Sequence, residues 1–464
     1  MPVETMSEKR KIFGTDGVRG TANVEPVTAE TALKLGQAAA HVFKNLETES
    51  RGRGKHKIVI GKDTRLSGYM LENALSSGVL SMGVDVLLIG PLPTPGVAYV
   101  TRSLRADAGI VITASHNPYD DNGIKFFHAD GYKLDDMIER RIERLVFSGE
   151  IAKIRPVARE IGKAVRIDDA LGRYIEYAKS SFPRHLTLDG LRIVVDCAHG
   201  AAYKSTPCVL RELGAQIIVH GNQPDGSNIN KDCGSMHPEH ICRLVREHKA
   251  HLGLAHDGDA DRMLLCDENG TLIDGDDVMA ILALEGLASG TLPKKTFVST
   301  VMSNAGLEMA IEAAGGKMIR TAVGDQNVLA AMLKLELTLG GEQSGHIILR
   351  DYSTTGDGLV AALQILRVMK LTNKPLSELA RCWTRFPQVQ TNLVVREKRP
   401  LEELGDITRL IAEAEAALKP RGGRILLRYS GTEPKVRLLL EGRDAALLKQ
   451  WNQKITKALK AELG

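Results

Sequence analysis

The chain lacks closely spaced cysteines. Its six cysteines lie singly, with no C-x-x-C pair, at positions 197, 208, 233, 242, 266 and 382. This distribution favours reduced thiols in a cytoplasmic protein over a disulfide framework or a zinc site. Residues 1–11 are polar and charged, so no secretory signal peptide is expected there.

Excess charge and long apolar runs are also lacking. The formal net charge is only +4 over 464 residues. No basic tail or aromatic-interleaved basic patch is present, which argues against a nucleic-acid partner. The locally basic segment 51–57 is interpreted as a solvated loop between a helix and a strand. Because no apolar run reaches about 18 residues, no membrane-spanning segment is predicted.

What the chain does contain is a β-α-β-α-β pattern that occurs three times, after a helix predicted over 29–46. The predicted strands are 57–60, 84–89 and 109–113, then 192–195, 216–219 and 251–255, then 297–301, 317–320 and 335–339. Such units are typical of doubly wound α/β sheets. The length is sufficient for about three or four domains.

The remainder of the chain has a different pattern, which predicts a smaller α+β domain. Its predicted elements are strands at 391–395, 424–427 and 436–440, a helix at 407–418 and a closing amphipathic helix. The domains are therefore predicted at 1–160, 161–270, 271–373 and 374–464.

The third strand of each repeated unit runs into the most polar loop of that unit. These loops are Thr113–Pro118, Asp257–Arg262 and Gly340–His346. Open α/β sheets bind their ligands at the carboxyl ends of the strands. Three equivalent loops therefore predict one cleft that is lined by three related domains.

The first loop presents Ser115. The Asn117-Pro118 turn ends the preceding strand, so the Ser115 hydroxyl can act as a nucleophile or carry a phosphoryl group. His116 can hold a proton or a phosphate oxygen, and Lys125 is a nearby cation. A Ser-His pair considered alone more often belongs to an ordinary exposed turn. The composition of the other loops favours the functional interpretation instead.

The second loop contains three alternating carboxylates, those of Asp257, Asp259 and Asp261. Their side chains can converge, and a hard divalent cation such as Mg²⁺ relieves their repulsion. An EF-hand calcium loop is disfavoured because its sixth position is Arg262 and a strand follows. A solvated acidic turn is the weaker alternative.

The third and fourth loops suit a phosphorylated polyol. Glu342, Ser344 and His346 lie among glycines that allow close approach of a sugar. The fourth loop contains Arg428, Ser430, Gly431, Thr432 and Arg437. These residues fit a phosphate dianion, although a surface hairpin with incidental charges is the alternative. The four loops together predict phosphoryl transfer.

At this point the chain resembles the α-D-phosphohexomutase family over essentially its whole length. The motifs that carry the resemblance are residues 13–20, 113–118, 257–262 and 428–434. Three segments favour the glucosamine-phosphate branch, namely 229–239, 300–304 and 341–346, the last with Gln343 where glucose- and mannose-phosphate mutases usually carry Met.

The resemblance implies three mixed-sheet domains and a smaller α+β domain around one central cleft. It implies that Ser115 becomes phosphoserine and, with the three aspartates, holds Mg²⁺. The implied reaction interconverts glucosamine 6-phosphate and glucosamine 1-phosphate through a sugar 1,6-bisphosphate, supplying UDP-N-acetylglucosamine and peptidoglycan synthesis. The implied partner is a small sugar phosphate, and a homodimer is compatible with the sequence.

The resemblance also implies roles for single residues. Arg19, His116 and Lys125 match general acid/base and proton-handling positions, and Arg262 matches a contact to the phosphoserine and leaving group. Glu342 and Ser344 match sugar-hydroxyl contacts, and the loop around Ser430 matches the site of the non-reacting phosphate. Two positions depart from the family pattern: Gln326 replaces a common Arg, and Met236 replaces the usual Thr.

Other functions remain as alternatives. A broader mutase would act on glucose or mannose phosphates, and a metal-dependent phosphatase would release inorganic phosphate. A silent sugar-phosphate-binding protein should have lost its nucleophile or a metal ligand, whereas Ser115 and all three aspartates are present.

Overall fold

The computed structural model of the protein describes residues 12–14, 16–46, 55–430 and 434–464. Within these residues the strands form four separate sheets, which follow one another along the chain. None of the described helices is long and apolar enough to cross a membrane.

The first sheet has the order β1-β5-β4-β2-β3-β6. Its strands are β1 (Val18–Thr21), β2 (Lys57–Lys62), β3 (Asp85–Pro91), β4 (Ala108–Ile112), β5 (Asp121–His128) and β6 (Ala164–Arg166). Its helices are α1 (Ala29–Leu46), α2 (Ser67–Leu80), α3 (Thr94–Ser103) and α4 (Asp136–Ser148).

The second sheet has the order β11-β10-β9-β7-β8. Its strands are β7 (Arg192–Asp196), β8 (Gln216–His220), β9 (Leu252–His256), β10 (Met263–Asp267) and β11 (Leu272–Ile273). The helices of this part are α5 (Ala170–Ser180), α6 (Ser205–Glu212) and α7 (Pro238–His248).

The third sheet has the order β13-β12-β14-β15. Its strands are β12 (Thr296–Thr300), β13 (Lys317–Thr321), β14 (Leu339–Gly341) and β15 (Ile347–Leu349). Its helices are α8 (Gly275–Ser289), α9 (Ala305–Ala313), α10 (Asp325–Leu335) and α11 (Gly358–Thr372).

The fourth sheet is antiparallel, with the order β16-β18-β17. Its strands are β16 (Gln388–Val394), β17 (Arg424–Tyr429) and β18 (Lys435–Glu441). The helices here are α12 (Leu376–Leu379), α13 (Gly405–Leu418) and α14 (Ala445–Leu463). Short 3-10 turns along the chain are Glu150–Lys153, Ala158–Glu160, Ala201–Tyr203, Gly234–Met236, Pro293–Lys295, Ala380–Cys382, Leu401–Glu403 and Lys419–Arg421.

The predicted repeat is confirmed in the first three sheets. In each one, the first strand of the unit lies between the third and the second, and all three run parallel, as in β4-β2-β3, β9-β7-β8 and β14-β12-β13. An antiparallel strand, β5, β10 or β15, follows the third strand. The three polar loops are therefore equivalent connections at the same edge of their sheets.

Two predicted elements differ from the structure. The predicted start of the strand at 335–339 is wrong, because helix α10 continues to Leu335. The apolar side chains of this helix pack inward. A left-handed Glu336 ends this helix and β14 begins only at Leu339. Residues 13–20 form a glycine-rich stretch that is expected to be a loop, but their last three residues belong to the edge strand Val18–Thr21, which pairs with β5. The predicted basic loop lies partly outside the described residues, since 51–54 are not described.

A shared core joins the three repeated units. One cluster of buried apolar side chains includes Val97 from α3, Val195 from β7 and Leu363 from α11. The buried Tyr174 hydroxyl of α5 donates a hydrogen bond of 3.1 Å to Asp357, which caps α11. This shared packing holds the three sheets in one arrangement and so positions their loops.

Helices α1 and α2 touch backbone to backbone. A Cβ atom on Gly36 would lie 2.4 Å from the carbonyl oxygen of Leu75, and one on Gly78 would lie 2.2 Å from that of Leu33. Real Cβ atoms do not approach a carbonyl oxygen so closely, and the backbone cannot move away as a flexible side chain can. Both positions therefore require glycine.

We expect Gly36→Ala to destabilise the protein by about 1–3 kcal/mol, because the added methyl group separates α1 from α2. Gly172→Ala in α5 is the matched control: its Cβ would meet nothing within 4 Å. Alanine there should stabilise by about 0.5–1 kcal/mol through helix propensity. Urea unfolding of both variants measures the difference. Equal stability of the two variants would contradict the close packing.

Candidate active site

The three polar loops meet at one place. The Ser115 hydroxyl of the first loop donates a 2.6 Å hydrogen bond to Oδ2 of Asp257 in the second loop. Nε2 of His346 in the third loop lies 3.8 Å from Oδ2 of Asp261. All four side chains are nearly inaccessible to solvent. The three loops that the repeat predicts to line one cleft therefore lie in contact with one another.

Ser115 has a backbone conformation that is rare for residues other than glycine. Its φ is 51°, in the left-handed region, and only 2% of the residue is exposed. The surrounding structure must hold this conformation, which costs about 1–3 kcal/mol in isolation. One local support is the hydrogen bond of 2.9 Å from the Ser115 amide to the Thr113 hydroxyl.

Arg65 is a site residue that sequence reasoning missed. Its buried guanidinium donates 2.9 Å hydrogen bonds to the carbonyl oxygens of Ser115 and Asn117, and a further one to that of Pro118. Asp63 accepts from Arg65 Nε at 2.8 Å and from the Thr113 hydroxyl at 2.7 Å. The signal available was position, since Asp63 and Arg65 directly follow β2 at the same sheet edge.

The second unit also supports the serine loop. Nδ2 of Asn230 donates to the carbonyl oxygens of Ser115 at 2.8 Å and Asn117 at 3.0 Å. Asn230 lies in the segment 229–239, which the sequence singles out without assigning it a contact. Arg65 and Asn230 together bind the same carbonyl oxygens from two domains, which fixes the loop between them.

The three aspartates of the second loop form a buried cluster. One carboxylate oxygen from each of Asp257, Asp259 and Asp261 lies within 4.8 Å of the others. Burial, followed by the neighbouring carboxylates, raises the pKa values of Asp257 and Asp261 above their usual range. Oδ1 of Asp259 and Oδ1 of Asp261 are buried without a hydrogen-bond partner among the described residues.

A divalent cation fits this cluster. The donor set is oxygen only, which suits Mg²⁺, and the two carboxylate oxygens without partners are available to it. The Ser115 hydroxyl, bound to Asp257, lies beside the cluster. The residues that would hold the ion are therefore the three aspartates and the oxygen of Ser115.

Lys125 carries a positive charge into the same cluster. Its buried Nζ lies 2.9 Å from Asp16, 3.2 Å from Asp259 and 3.9 Å from Asp261. Burial opposes the charge, but these carboxylates outweigh it and raise the pKa of Lys125. The side chain is therefore an ammonium ion that can neutralise negative charge and donate a proton.

A second lysine extends this network into the third unit. Nζ of Lys133 lies 2.7 Å from Asp16 and also pairs with Asp325. Nε2 of His346 lies 3.6 Å from Asp325. Sequence reasoning missed Asp16, Lys133 and Asp325 because their contacts span 117 and 192 positions of the chain.

The remaining predicted residues of the first two loops lie around Ser115. Nδ1 of His116 lies 3.3 Å from the Ser115 hydroxyl, and burial, followed by Arg262 and Arg19, lowers the pKa of His116 to about 4. Arg19 donates to Asp16 at 3.1 Å, and the Arg262 amide donates to Asp257 at 3.2 Å. His116 is thus a neutral imidazole close enough to Arg262 and Arg19 to be affected by their charges.

In the third loop, one predicted site residue forms a hydrogen bond and another is exposed to solvent. Oε1 of Glu342 accepts a 3.0 Å hydrogen bond from the Gly324 amide, and Ser344 is exposed. Gln326 lies half-buried in the first turn of α10, directly after Asp325, and Met236 is 50% exposed. The Gln326 position is therefore next to the Lys133–Asp325 contact.

The fourth sheet contributes a pair of arginines. Arg428 and Arg437 are register partners on β17 and β18, and burial followed by the Arg437 charge lowers the pKa of Arg428. Like charges opposite each other repel, and an anion such as phosphate relieves the repulsion. Ser430 is buried beside them, whereas Gly431 and Thr432 lie outside the described residues. Arg428 Nη2 reaches Met302 Sδ at 3.9 Å, in the loop after β12.

Comparison with protein families covers nearly the whole chain. The family models that match are phosphoglucomutase/phosphomannomutase alpha/beta/alpha domain I at residues 10–153, domain II at 172–270, domain III at 274–386 and the C-terminal domain at 391–458.

Individual relatives agree with the family models. The chain is 56% identical to a phosphoglucosamine mutase of Syntrophotalea carbinolica over 98% of both chains. A solved phosphoglucomutase/phosphomannomutase family protein of Burkholderia thailandensis is similar with a TM-score of 0.79, 25% identity and 97% of both chains covered. N-acetylphosphoglucosamine mutase of Aspergillus fumigatus, solved with GlcNAc-6P and magnesium, shares the fold, with a TM-score of 0.65, 17% identity, and 98% and 96% coverage.

We expect Asp261→Asn to weaken Mg²⁺ binding by at least about tenfold, because it removes one of the charges that would hold the ion. This carboxylate is the cleanest to change, since its contacts with Lys125, Arg262 and His346 are all 3.8 Å or longer. Calorimetric titration measures the affinity. The control Asp351→Asn, at an exposed aspartate, should leave it unchanged. Unchanged Mg²⁺ affinity in Asp261→Asn would argue against this ion site.

Proposed function

The chain belongs to the phosphoglucomutase/phosphomannomutase family, and we propose that it interconverts glucosamine 6-phosphate and glucosamine 1-phosphate. The proposal rests on the buried contact between Ser115 and Asp257, in a chain 56% identical to a phosphoglucosamine mutase over 98% of its length. The enzyme is an isomerase that moves a phosphoryl group between two positions of one sugar. Its product is a precursor for UDP-N-acetylglucosamine and peptidoglycan synthesis.

Ser115 is the phosphoryl carrier. In the active enzyme its oxygen is phosphorylated, and the free hydroxyl of the sugar phosphate attacks this phosphorus. The bond from phosphorus to the serine oxygen breaks as the new bond to the sugar oxygen forms, giving a sugar 1,6-bisphosphate. The reverse step returns the other phosphoryl group to Ser115 and releases the isomeric sugar monophosphate.

Two side chains of the site can donate and accept the protons of these steps. The Lys125 amine receives the proton of the sugar hydroxyl as that hydroxyl attacks, and the resulting ammonium, which three carboxylates stabilise, donates a proton to the sugar oxygen that departs in the return step. The neutral Nδ1 of His116, 3.3 Å from the Ser115 hydroxyl, is positioned to receive the serine proton when Ser115 attacks, and the imidazolium returns a proton when the Ser115 oxygen departs. The charges of Arg19 and Arg262 act on His116, and both guanidinium groups are available to bind the phosphoryl oxygens.

Asp257, Asp259, Asp261 and the Ser115 oxygen would hold Mg²⁺. When bound, the ion neutralises charge that develops on the transferring phosphoryl group. The related Aspergillus fumigatus enzyme has been solved with magnesium. Two buried carboxylate oxygens, Oδ1 of Asp259 and Oδ1 of Asp261, have no hydrogen-bond partner within the described part of the chain, which supports the same site here.

The third and fourth loops hold the rest of the substrate. Glu342 and Ser344 bind sugar hydroxyls, and the non-reacting phosphate binds Arg428, Ser430, Gly431, Thr432 and Arg437. We assign one loop to each of the domains 1–160, 161–270, 271–373 and 374–464. Because the bisphosphate must expose either phosphate to Ser115, it turns over while the fourth loop binds whichever phosphate is not reacting.

Ser115→Ala should lower turnover by at least about a thousandfold, because it removes the hydroxyl that carries the phosphoryl group. Its circular dichroism should match the parent protein, and Ser180→Ala, an exposed serine in α5, should keep full activity. Turnover assays with glucosamine 6-phosphate, Mg²⁺ and a bisphosphate activator measure the effect. Substantial activity in Ser115→Ala would remove Ser115 from the mechanism.

Substrate choice tests the assignment to glucosamine phosphate. We expect kcat/KM for glucosamine 6-phosphate to exceed the values for glucose 6-phosphate and mannose 6-phosphate by at least about tenfold on one enzyme preparation. A ratio near one, or a reversed ratio, would instead identify a broader hexose-phosphate mutase. Inactivity with all three sugars would exclude both assignments.

A further inference from the structure

A second cluster of metal-ligand side chains lies in the second unit, apart from the three aspartates. Asp196 is the last residue of β7 and His220 is the last residue of β8, and the two are register partners. His240 lies in the first turn of α7, which follows. The three residues thus come from three elements that converge at the carboxyl edge of the sheet.

The geometry of this cluster suits one ion. One ligand atom from each of Asp196, His220 and His240 lies within 4.8 Å of the others. The rings of His220 and His240 meet edge to face with centroids 4.2 Å apart. Nδ1 of His240 lies 3.7 Å from Oδ2 of Asp196 and is buried without a hydrogen-bond partner among the described residues.

The buried negative charge of Asp196 would also be stabilised by a cation. The residue is completely buried, and the hydrogen bonds to its carboxylate come from the main-chain amides of Ala198 at 2.9 Å and Gly234 at 2.8 Å. Buried carboxylates are usually paired with a cation or a metal. Arg243, whose charge acts on His220, is exposed and pairs with Glu247 at 2.9 Å.

We propose that Asp196, His220 and His240 form a transition-metal site whose ion is Zn²⁺. Two imidazole nitrogens and one carboxylate oxygen favour Zn²⁺ over Mg²⁺, which prefers oxygen ligands. Cysteine spacing disfavours a thiolate zinc site, and this cluster contains no thiol. Bonds of about 2.0–2.2 Å to the ion require the side chains to move inward slightly from their present separation.

A metal ion at this site would stabilise the main-chain segments that position Asn230, which binds the serine loop. Asp196 binds the Gly234 amide, and the carbonyl oxygen of Ala198, two residues after Asp196, accepts a 2.9 Å hydrogen bond from the Asn230 amide. Asn230 in turn binds the carbonyl oxygens of Ser115 and Asn117. With three protein ligands, a water molecule would fill the fourth position of the ion. The role that we infer for Zn²⁺ is structural, and the inference stands independently of the reaction proposed above.

Cobalt substitution tests the site with the full chain, purified without a polyhistidine tag and kept in excess Mg²⁺. We expect one equivalent of Co²⁺ to give the intense visible bands of tetrahedral, nitrogen-ligated cobalt, and one equivalent of Zn²⁺ to abolish them. His220→Gln and His240→Gln should each weaken binding by at least about tenfold. His248→Gln, at the exposed far end of α7, and Asp261→Asn should keep the bands.

The proposal is overturned if these bands are absent, persist in both His220→Gln and His240→Gln, or disappear in Asp261→Asn. Absence of the bands would leave a His240–Asp196 ion pair as the function of the cluster. X-ray absorption of the Zn²⁺-loaded parent protein gives a measurement that does not depend on the folding of any variant. Two imidazole nitrogens at about 2.0–2.1 Å support the site, and an oxygen-only shell contradicts it.

Discussion

The repulsion among three buried carboxylates is the constraint on which the site depends. Asp257, Asp259 and Asp261 cannot all be charged in a water-poor pocket without compensation. The Lys125 ammonium supplies part of this compensating charge. Asp16 forms ion pairs with both Lys125 and Lys133. A divalent cation would supply the remainder, at oxygens that have no hydrogen-bond partner among the described residues. The Ser115 hydroxyl is placed beside this charge because Asp257 accepts its hydrogen bond.

Repetition of one topology brings these groups together. Each of the three repeated units places its polar loop after a parallel strand that is followed by an antiparallel one. A shared apolar core then fixes the units so that the loops touch. The serine loop, which has an unfavourable backbone conformation, is held through its carbonyl oxygens by Arg65 from its own domain and Asn230 from the next. The arginine pair that we propose as the phosphate site, Arg428 and Arg437, belongs to a separate sheet.

The sequence was sufficient to predict the loops because polar motifs at strand ends are local signals. Ser115 and the aspartates were found in this way, and the structure brings them into contact. The contacts of Arg65 and Asn230 were not predicted, since each residue binds main-chain oxygens and only its position in the chain marked it. The Lys133–Asp325 pair joins residues that are 192 positions apart. The strand expected at 335–339 failed because an apolar helix end resembles a short strand.

Transfer of a labelled phosphoryl group tests the central claim most directly. Enzyme carrying ³²P on Ser115 is mixed with glucosamine 6-phosphate and Mg²⁺ for a single turnover. The account predicts that label leaves Ser115, appears in glucosamine 1,6-bisphosphate and then in glucosamine monophosphate, with little inorganic phosphate. Label that is released mainly as inorganic phosphate, or that remains on the protein while sugar phosphate is isomerised, would contradict it.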